Sequence, residues 1–170
     1  MEKKLENKEY KAYINSPVGL LEITGNNEAI NKVSFIEDKF DSEFQTNSYV
    51  QECAKQLEEY FYGGRKEFEL NLNPKGTDFQ KKVWNELLKI PFGYTKSYLF
   101  ISKMIGDTLA IRAAAKANGQ NPIAIIIPCH RVIGSDGSLT GYAGGLWRKK
   151  WLLEHEQKFS EGEKQLELML

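Results

Sequence analysis

Apolar positions change period along the chain. Between residues 10 and 36 they alternate or fall in short blocks. Tyr10–Asn15 and Leu20–Thr24 read as strands joined through Pro17 and Gly19. Gly25-Asn26-Asn27 makes the next turn, and Ile30–Ile36 a third strand. From Val50 the spacing becomes helical, with Val50, Cys53/Ala54, Leu57 and Tyr60/Phe61 on one face and Gly63-Gly64 as the stop. Pro74, in the stretch 71–75, marks a domain boundary. Beyond it Thr77-Asp78-Phe79-Gln80 has the form of a capping box, opening a helix that carries Phe79, Val83, Trp84, Leu87 and Leu88 and ends before Pro91. Phe92-Gly93 turns the chain. Ser97 is placed to cap a second helix running to Ile105, closed by Gly106. Asp107 or Thr108 is placed to cap a third, Leu109–Ala117, ended by Asn118-Gly119. Two short helices meeting at a glycine predict a helix-turn-helix. Ile123–Ile127 is wholly apolar and reads as a buried strand or extended segment. A last helix begins near Leu146 and contains Trp151, Leu152 and Leu153.

Charge separates the same halves. The 170 residues carry 23 basic and 23 acidic side chains, but residues 1–72 hold 9 against 14 while residues 73–156 hold 12 against 6. A basic C-terminal part beside an acidic N-terminal one permits a polyanion partner on one side. The hydrophobic fraction of 41% supports a sizeable core and excludes global disorder. No apolar run reaches the ~18 residues of a membrane span, and the first residues lack the apolar stretch of a secretory signal. Two cysteines, Cys53 and Cys129, make no disulfide framework, so a reducing cytoplasm is expected. With His130 and His155 they have no zinc-ligand spacing, and no metal or cofactor is expected.

Cys53 falls on the apolar helix face and reads as a core residue. Cys129 is different: Pro128-Cys129-His130-Arg131 follows the buried apolar run. Nearby positive charge lowers a thiol pKa, and the thiolate is the nucleophile. In an extended segment neighbours point to opposite faces, so a water bridge between Cys129 and His130 is expected rather than direct contact. A histidine base needs an orienting acceptor, and Glu154 and Glu156 on the last helix are the candidates. Gly134–Ser138 and Gly141–Gly145 are glycine-rich loops, readable as plain turns or as places where backbone approaches a flat ligand. The alanine-rich helix with its single Arg112 reads either as a high-propensity core helix or as one that approaches another backbone closely.

These motifs, taken in order, resemble the O6-alkylguanine-DNA alkyltransferase family. They are Asn121-Pro122, Ile-Pro-Cys-His-Arg-Val-Ile-Gly, Gly-Tyr-Ala-Gly-Gly-Leu and Trp-Leu-Leu-Glu-His-Glu. The similarity is strong from Gly76 to Glu156 and looser in the first domain, for instance at Ser16-Pro-Val-Gly-Leu-Leu. The resemblance implies an α/β (α+β) fold. A small N-terminal mixed sheet and helix domain, ribonuclease H-like, covers 1–72. A winged helix-turn-helix-like domain covers 73–156. Residues 157–170 exceed the family core and read as a polar tail, helical through Leu166–Leu170. The resemblance further implies single-turnover transfer of an alkyl group from O6 of guanine in duplex DNA to Cys129, by a monomer. His130 would be the base through a water, Glu156 its orienter, and Asn121 the support of the adjoining turn. Arg112 would fill the space left by a flipped nucleotide, and Tyr98 would assist rotation and donate to N3. Ala110, Ala113 and Ala114 would approach the minor groove. Tyr142 and the Ala143 N–H would contact O6. The carbonyls of Cys129 and Val132 would accept from the guanine amine. Flipping is required because O6 is unreachable for in-line attack while stacked.

The chain departs from the family pattern at three places. Asp107-Thr108-Leu109 replaces a commoner turn, which bears on the placement of Arg112. Trp147 is bulky where several relatives are smaller and is expected near the pocket mouth, where it would alter which alkyl groups fit. The zinc ligands that some relatives carry in the first domain are missing. Two other readings stand beside this one. A non-catalytic lesion-binding or regulatory module would bind DNA and stay unalkylated. A thiol hydrolase would need a base in direct contact with Cys129 and would turn over.

Overall fold

The computed structural model describes residues 8–37 and 41–169, from 162 onward by backbone alone. The chain forms two compact units, Met1–Lys75 and Gly76–Leu170.

In the first unit, β1 (Tyr10–Ser16), β2 (Gly19–Gly25) and β3 (Ile30–Ile36) make an antiparallel sheet in the order β1-β2-β3. The register runs from Tyr10 opposite Gly25 to Ser16 opposite Gly19, which leaves Pro17 and Val18 as a two-residue turn. Ser16 Oγ stabilises that turn, donating to the Gly19 carbonyl at 2.7 Å and accepting from Val18 N–H at 3.2 Å. Period-two patterning puts Ala12, Ile14, Leu21, Ile23 and Val33 inside. Helix α1 (Ser48–Phe61) adds Val50, Cys53, Leu57 and Tyr60, each completely buried. Burial of a large apolar side chain is worth roughly 1.5–3 kcal/mol, so this face, rather than propensity, holds α1 down. Its N-cap is Asn47, whose side chain accepts from Val50 N–H at 3.0 Å. Buried Gln56 ties the following segment to the helix by bonding both N–H and C=O of Glu69.

The second unit opens with the expected capping box: Thr77 accepts from Gln80 N–H, and the Gln80 side chain accepts from Thr77 N–H. Helix α2 (Asp78–Leu87) buries Val83, Trp84 and Leu87, whereas Phe79 and Leu88 are exposed. Gly76 is required where it stands, because a Cβ there would lie 2.5 Å from the Trp84 ring. The two-residue strand β4 (Lys96–Ser97) leads into α3 (Tyr98–Met104), capped by Ser97 and ended at Ile105. Gly106, with φ +85°, turns the chain toward α4 (Ile111–Gly119).

Two expectations are corrected here. Helix α4 starts two residues later than its predicted Leu109 and has no side-chain cap at its Ala110 N-cap. Asp107 instead accepts from Leu109 N–H at 2.9 Å, so it stabilises the connecting turn. The apolar run Ile123–Ile127 is buried but is not extended. Ile126 N–H donates to Ala124 and Ile127 N–H to Ile123, and Ile125 adopts φ +71°. Hydrophobicity reports burial and is silent on backbone shape; the coiling comes from Asn121, described below. The chain then makes a 3-10 turn at Cys129–Arg131 and pairs β5 (Val132–Ile133) parallel to β4. Helix α5 (Leu146–Met169) closes the unit, and its backbone stays helical through the segment read as a tail. Residues 1–7, 38–40 and the terminal Leu170 lie outside the described residues. Among the described residues no helix is long and apolar enough to cross a membrane, and no cluster of three His, Cys, Asp or Glu side chains is placed to hold a metal ion.

Candidate active site

Asn121 organises the site. Its Oδ1 accepts from Ile123 N–H at 2.9 Å, while Nδ2 donates to the Ile127 carbonyl at 2.8 Å and to Cys129 Sγ at 3.2 Å. One amide therefore bends the apolar run and fixes the thiol. The left-handed conformation of Ile125 is costly for a β-branched residue, on the order of 1–3 kcal/mol. It persists inside a turn whose ends Asn121 holds. The 3-10 turn replaces the extended geometry expected around Cys129, and the two side chains meet different partners, Cys129 Sγ the Asn121 amide and His130 the Glu156 carboxylate.

His130 is fully buried, and its Nε2 is 2.7 Å from Glu156 Oε1. Its Nδ1 has no hydrogen-bond partner among the described residues. Glu156 is almost fully buried and accepts from Arg131 Nε and Nη2, both at 2.9 Å, and from Gly93 N–H at 3.2 Å. Burial opposes its ionisation, but His130 and the paired Arg131 guanidinium hold the carboxyl far below its usual range. An ionised Glu156 takes the Nε2–H of His130, which leaves Nδ1 as the acceptor. Burial lowers the His130 pKa, so the ring is neutral and ready for a proton. Of the two glutamates considered, Glu154 is exposed and 3.8 Å from Lys150, away from this network.

The source of positive charge at the thiol is not Arg131, as its position in the sequence suggested. Arg131 turns to Glu156 and to the Ile90 carbonyl, 2.6 Å from its Nη1. The cation acting on Cys129 is Lys149, a fully buried lysine whose Nζ donates to the Thr140 carbonyl at 3.0 Å and lies 3.5 Å from the Tyr98 hydroxyl. Burial pushes the Cys129 thiol pKa up, while Asn121 and Lys149 pull against it. Burial likewise lowers the Lys149 pKa, and the negative form of Cys129 would raise it. The sequence carried a signal for Lys149 that polarity-based reading passes over. Lys149, Leu152 and Glu156 are spaced three and four apart, on one helix face that the structure buries.

A groove of about 500 Å³ is lined by Tyr98, Ile111, Arg112, Ala115 and the segment Thr140–Ala143. The Tyr98 hydroxyl donates to the Thr140 carbonyl at 2.9 Å. Tyr142 is half-buried with its hydroxyl oxygen out of solvent, and that burial pushes the phenol pKa well up. Both tyrosines are within electrostatic reach of Cys129. Arg112 is exposed on α4, as is Ala113, and Ala110 is half-buried. Ala114 is only 1% exposed and faces the interior, so its expected contact with a DNA backbone is corrected to packing. The Cys129 carbonyl already accepts from Val132 N–H and, at 3.4 Å, from Asn118 Nδ2. A guanine amine would have to displace the longer of these. Trp147 is half exposed and stacks on Arg148 rather than lining the groove.

Two family models match in order, the 6-O-methylguanine DNA methyltransferase ribonuclease-like domain over residues 10–74 and the DNA binding domain of the same family over 78–158. The chain belongs to this family. It is 47% identical over 152 residues to a methylated-DNA–protein-cysteine methyltransferase of Methanosarcina acetivorans, covering 86% of this chain and 97% of that one. A protein of the same description from Mycobacterium tuberculosis is 44% identical over 149 residues, covering 85% and 90%. The crystal structure of the Mycobacterium tuberculosis O6-methylguanine methyltransferase superposes with a TM-score of 0.80 at 42% identity, over 89% and 94% of the two chains. A structure of the Mycobacterium tuberculosis protein in complex with DNA gives a TM-score of 0.81 at 43% identity, over 88% and 94%. The family's two-domain α/β fold, a small sheet and helix followed by a helical DNA-binding part, is the fold described above.

Proposed function

We propose that this chain repairs duplex DNA by direct reversal, moving a methyl or other alkyl group from O6 of guanine to its own Cys129, once per molecule. The observation that carries this reading is the buried array Asn121–Cys129 and His130–Glu156–Arg131, beside a groove lined by Tyr98, Arg112, Tyr142 and Ala143. Membership of the family and the likeness to a relative solved with DNA support it.

At rest the burial-raised pKa keeps Cys129 a thiol. The neutral His130 Nδ1 takes the thiol proton through a bridging water, and Glu156 stabilises the imidazolium that results. The sulfur attacks the alkyl carbon in line, forming the S–C bond as the C–O6 bond breaks. The departing guanine gains electron density, which the Ala143 N–H meets at O6 and the Tyr98 hydroxyl, turned from the Thr140 carbonyl, at N3; the guanine then regains a proton and the His130 imidazolium gives one up, so charge balances. Lys149 offsets negative charge on the sulfur beforehand and beside Tyr98 afterwards. Arg112, exposed on α4, occupies the space left in the duplex when the nucleotide swings into the groove. No step regenerates the thiol, so the thioether ends the reaction. The protein acts as a monomer and needs no cofactor.

Excess O6-methylguanine duplex should add one methyl to the intact protein, mapped to Cys129. A lesion-binding module would retain its mass, and a thiol hydrolase would turn over repeatedly.

A further inference from the structure

The segment that walls the groove on the O6 side, Gly141–Gly145, is poor in side chains. Three of its five residues are glycine, and Gly141 and Gly145 sit at φ +55° and +92°. Such a segment defines little of its own shape beyond one turn, in which Gly145 N–H donates to the Tyr142 carbonyl at 2.9 Å, because glycine populates many backbone states. It is fixed from outside at both ends by consecutive residues of α5. Lys149 holds the Thr140 carbonyl, and Arg148 donates from Nη1 to the Gly144 carbonyl at 2.7 Å.

Arg148 is in an expensive place. It is only 8% exposed, and it lies in the first turn of α5 with no acidic residue there. The positive end of the helix dipole disfavours a cation at that position. Its planar guanidinium also lies over the Trp147 ring, 4.6 Å from the centroid. Its charge also reaches the Tyr142 phenol. Each contact of Arg148 just described involves the wall or what backs it. Holding the wall is a role consistent with its burial.

We infer that Arg148 is a positioning residue that sets the width of the alkyl pocket: by pinning the Gly144 carbonyl it holds Ala143 and Tyr142 where a small alkyl group fits, and it penalises larger ones. This rests on the proposed alkyl transfer. Methyl transfer gains from a fixed Ala143 N–H, because a donor placed in advance stabilises the departing O6 without reorganisation. A benzyl group needs the wall to give, so release of Arg148 costs it less.

The test compares one duplex carrying either O6-methylguanine or O6-benzylguanine, with single-turnover alkylation followed by intact mass. In Arg148→Met, which keeps the stem but removes the donors, methyl transfer should fall roughly tenfold, the scale of one lost hydrogen bond. Benzyl transfer should fall less, so the benzyl-to-methyl ratio rises several-fold. Arg148→Lys, which retains a donor, should bring the ratio back toward wild type. Trp147→Ala removes only the stack from a half-exposed position and should raise the ratio slightly. It decides the matter if Arg148→Met fails to fold. A ratio that is unchanged or lower in these variants overturns the inference, whether the rates stay intact or fall together. Wild-type protein that accepts neither group overturns the proposed function instead.

Discussion

The two cysteines lie in different units and share more than their sequence contexts suggest. Both are buried and free, and burial raises the pKa of both thiols. Cys53 sits on the inner face of α1 with Val50, Leu57 and Tyr60, and its pKa is pushed up to about 12. Cys129 has the same burial plus an amide donor, a lysine cation and a neighbouring histidine with a free acceptor nitrogen. The comparison shows that burial silences a thiol, and that reactivity must come from groups that stabilise its charged form when needed.

The harshest test of that contrast exchanges the thiols. Cys129→Ser should abolish methyl uptake while leaving duplex binding in place, and Cys53→Ala should leave methyl uptake at wild-type rate. Mass spectrometry of digested protein reads both. A methyl on Cys53 would break the comparison outright.

The two glutamates of α5 sharpen it next. Glu156→Gln removes the charge that orients His130 and should slow transfer by about 10²–10³-fold. It also leaves Arg131 without its counter-charge, and breaking a buried pair costs roughly 3–5 kcal/mol. Denaturant unfolding and single-turnover kinetics measure the two effects. Glu154→Gln, at an exposed pair, should change stability by less than about 0.5 kcal/mol and leave the rate alone.

Arg112 separates groove chemistry from thiol chemistry. Arg112→Ala should slow transfer from duplex by about tenfold or more, since flipping costs a few kcal/mol. Reaction with free O6-benzylguanine, which requires no flipping, should change much less. Equal losses on both substrates would make Arg112 part of the pocket rather than of DNA distortion.

How far the chain could be read from its sequence follows the same line between local and distant causes. Strands, the α1 face and the Thr77 capping box depend on neighbours within a few positions, so periodicity and cap chemistry revealed them. The coil at Ile123–Ile127 depends on Asn121 reaching six and eight residues ahead, and apolar pattern alone read it as extended. Cys129, His130 and Glu156 are singled out by their motif, and the structure brings His130 and Glu156 to 2.7 Å. Arg131 pairs with Glu156 rather than acting on Cys129, since adjacency in sequence says nothing about where a guanidinium turns. Lys149 and Arg148 were passed over because a basic residue in a helix ordinarily reads as solvated, and only the fold reveals that both are buried.

The smallest expected effects come from the pH dependence of stability, which should divide the two units in opposite directions. In the second unit His130 has a lowered folded pKa, so the unfolded chain binds its proton first. Stability is complete above the unfolded value of ~6.5 and falls as pH drops below it. Glu156 is also lowered, and its contribution is lost as pH falls below the unfolded value of ~4.3. In the first unit Cys53 is raised, so its contribution is complete below the unfolded thiol value of ~8.5 and declines as pH climbs toward about 12. Within each window the loss amounts to roughly 1 kcal/mol per pH unit for one group. The three tryptophans, Trp84, Trp147 and Trp151, all belong to the second unit, so their fluorescence follows its unfolding alone. Tryptophan-detected denaturation should weaken from pH 7 to about pH 3, and Glu156→Gln should flatten the part below about pH 4. Far-ultraviolet dichroism should show a loss above pH 9 that Cys53→Ala reduces. A loss below about pH 4 that survives unchanged in Glu156→Gln would place the carboxylate responsible for it elsewhere than Glu156.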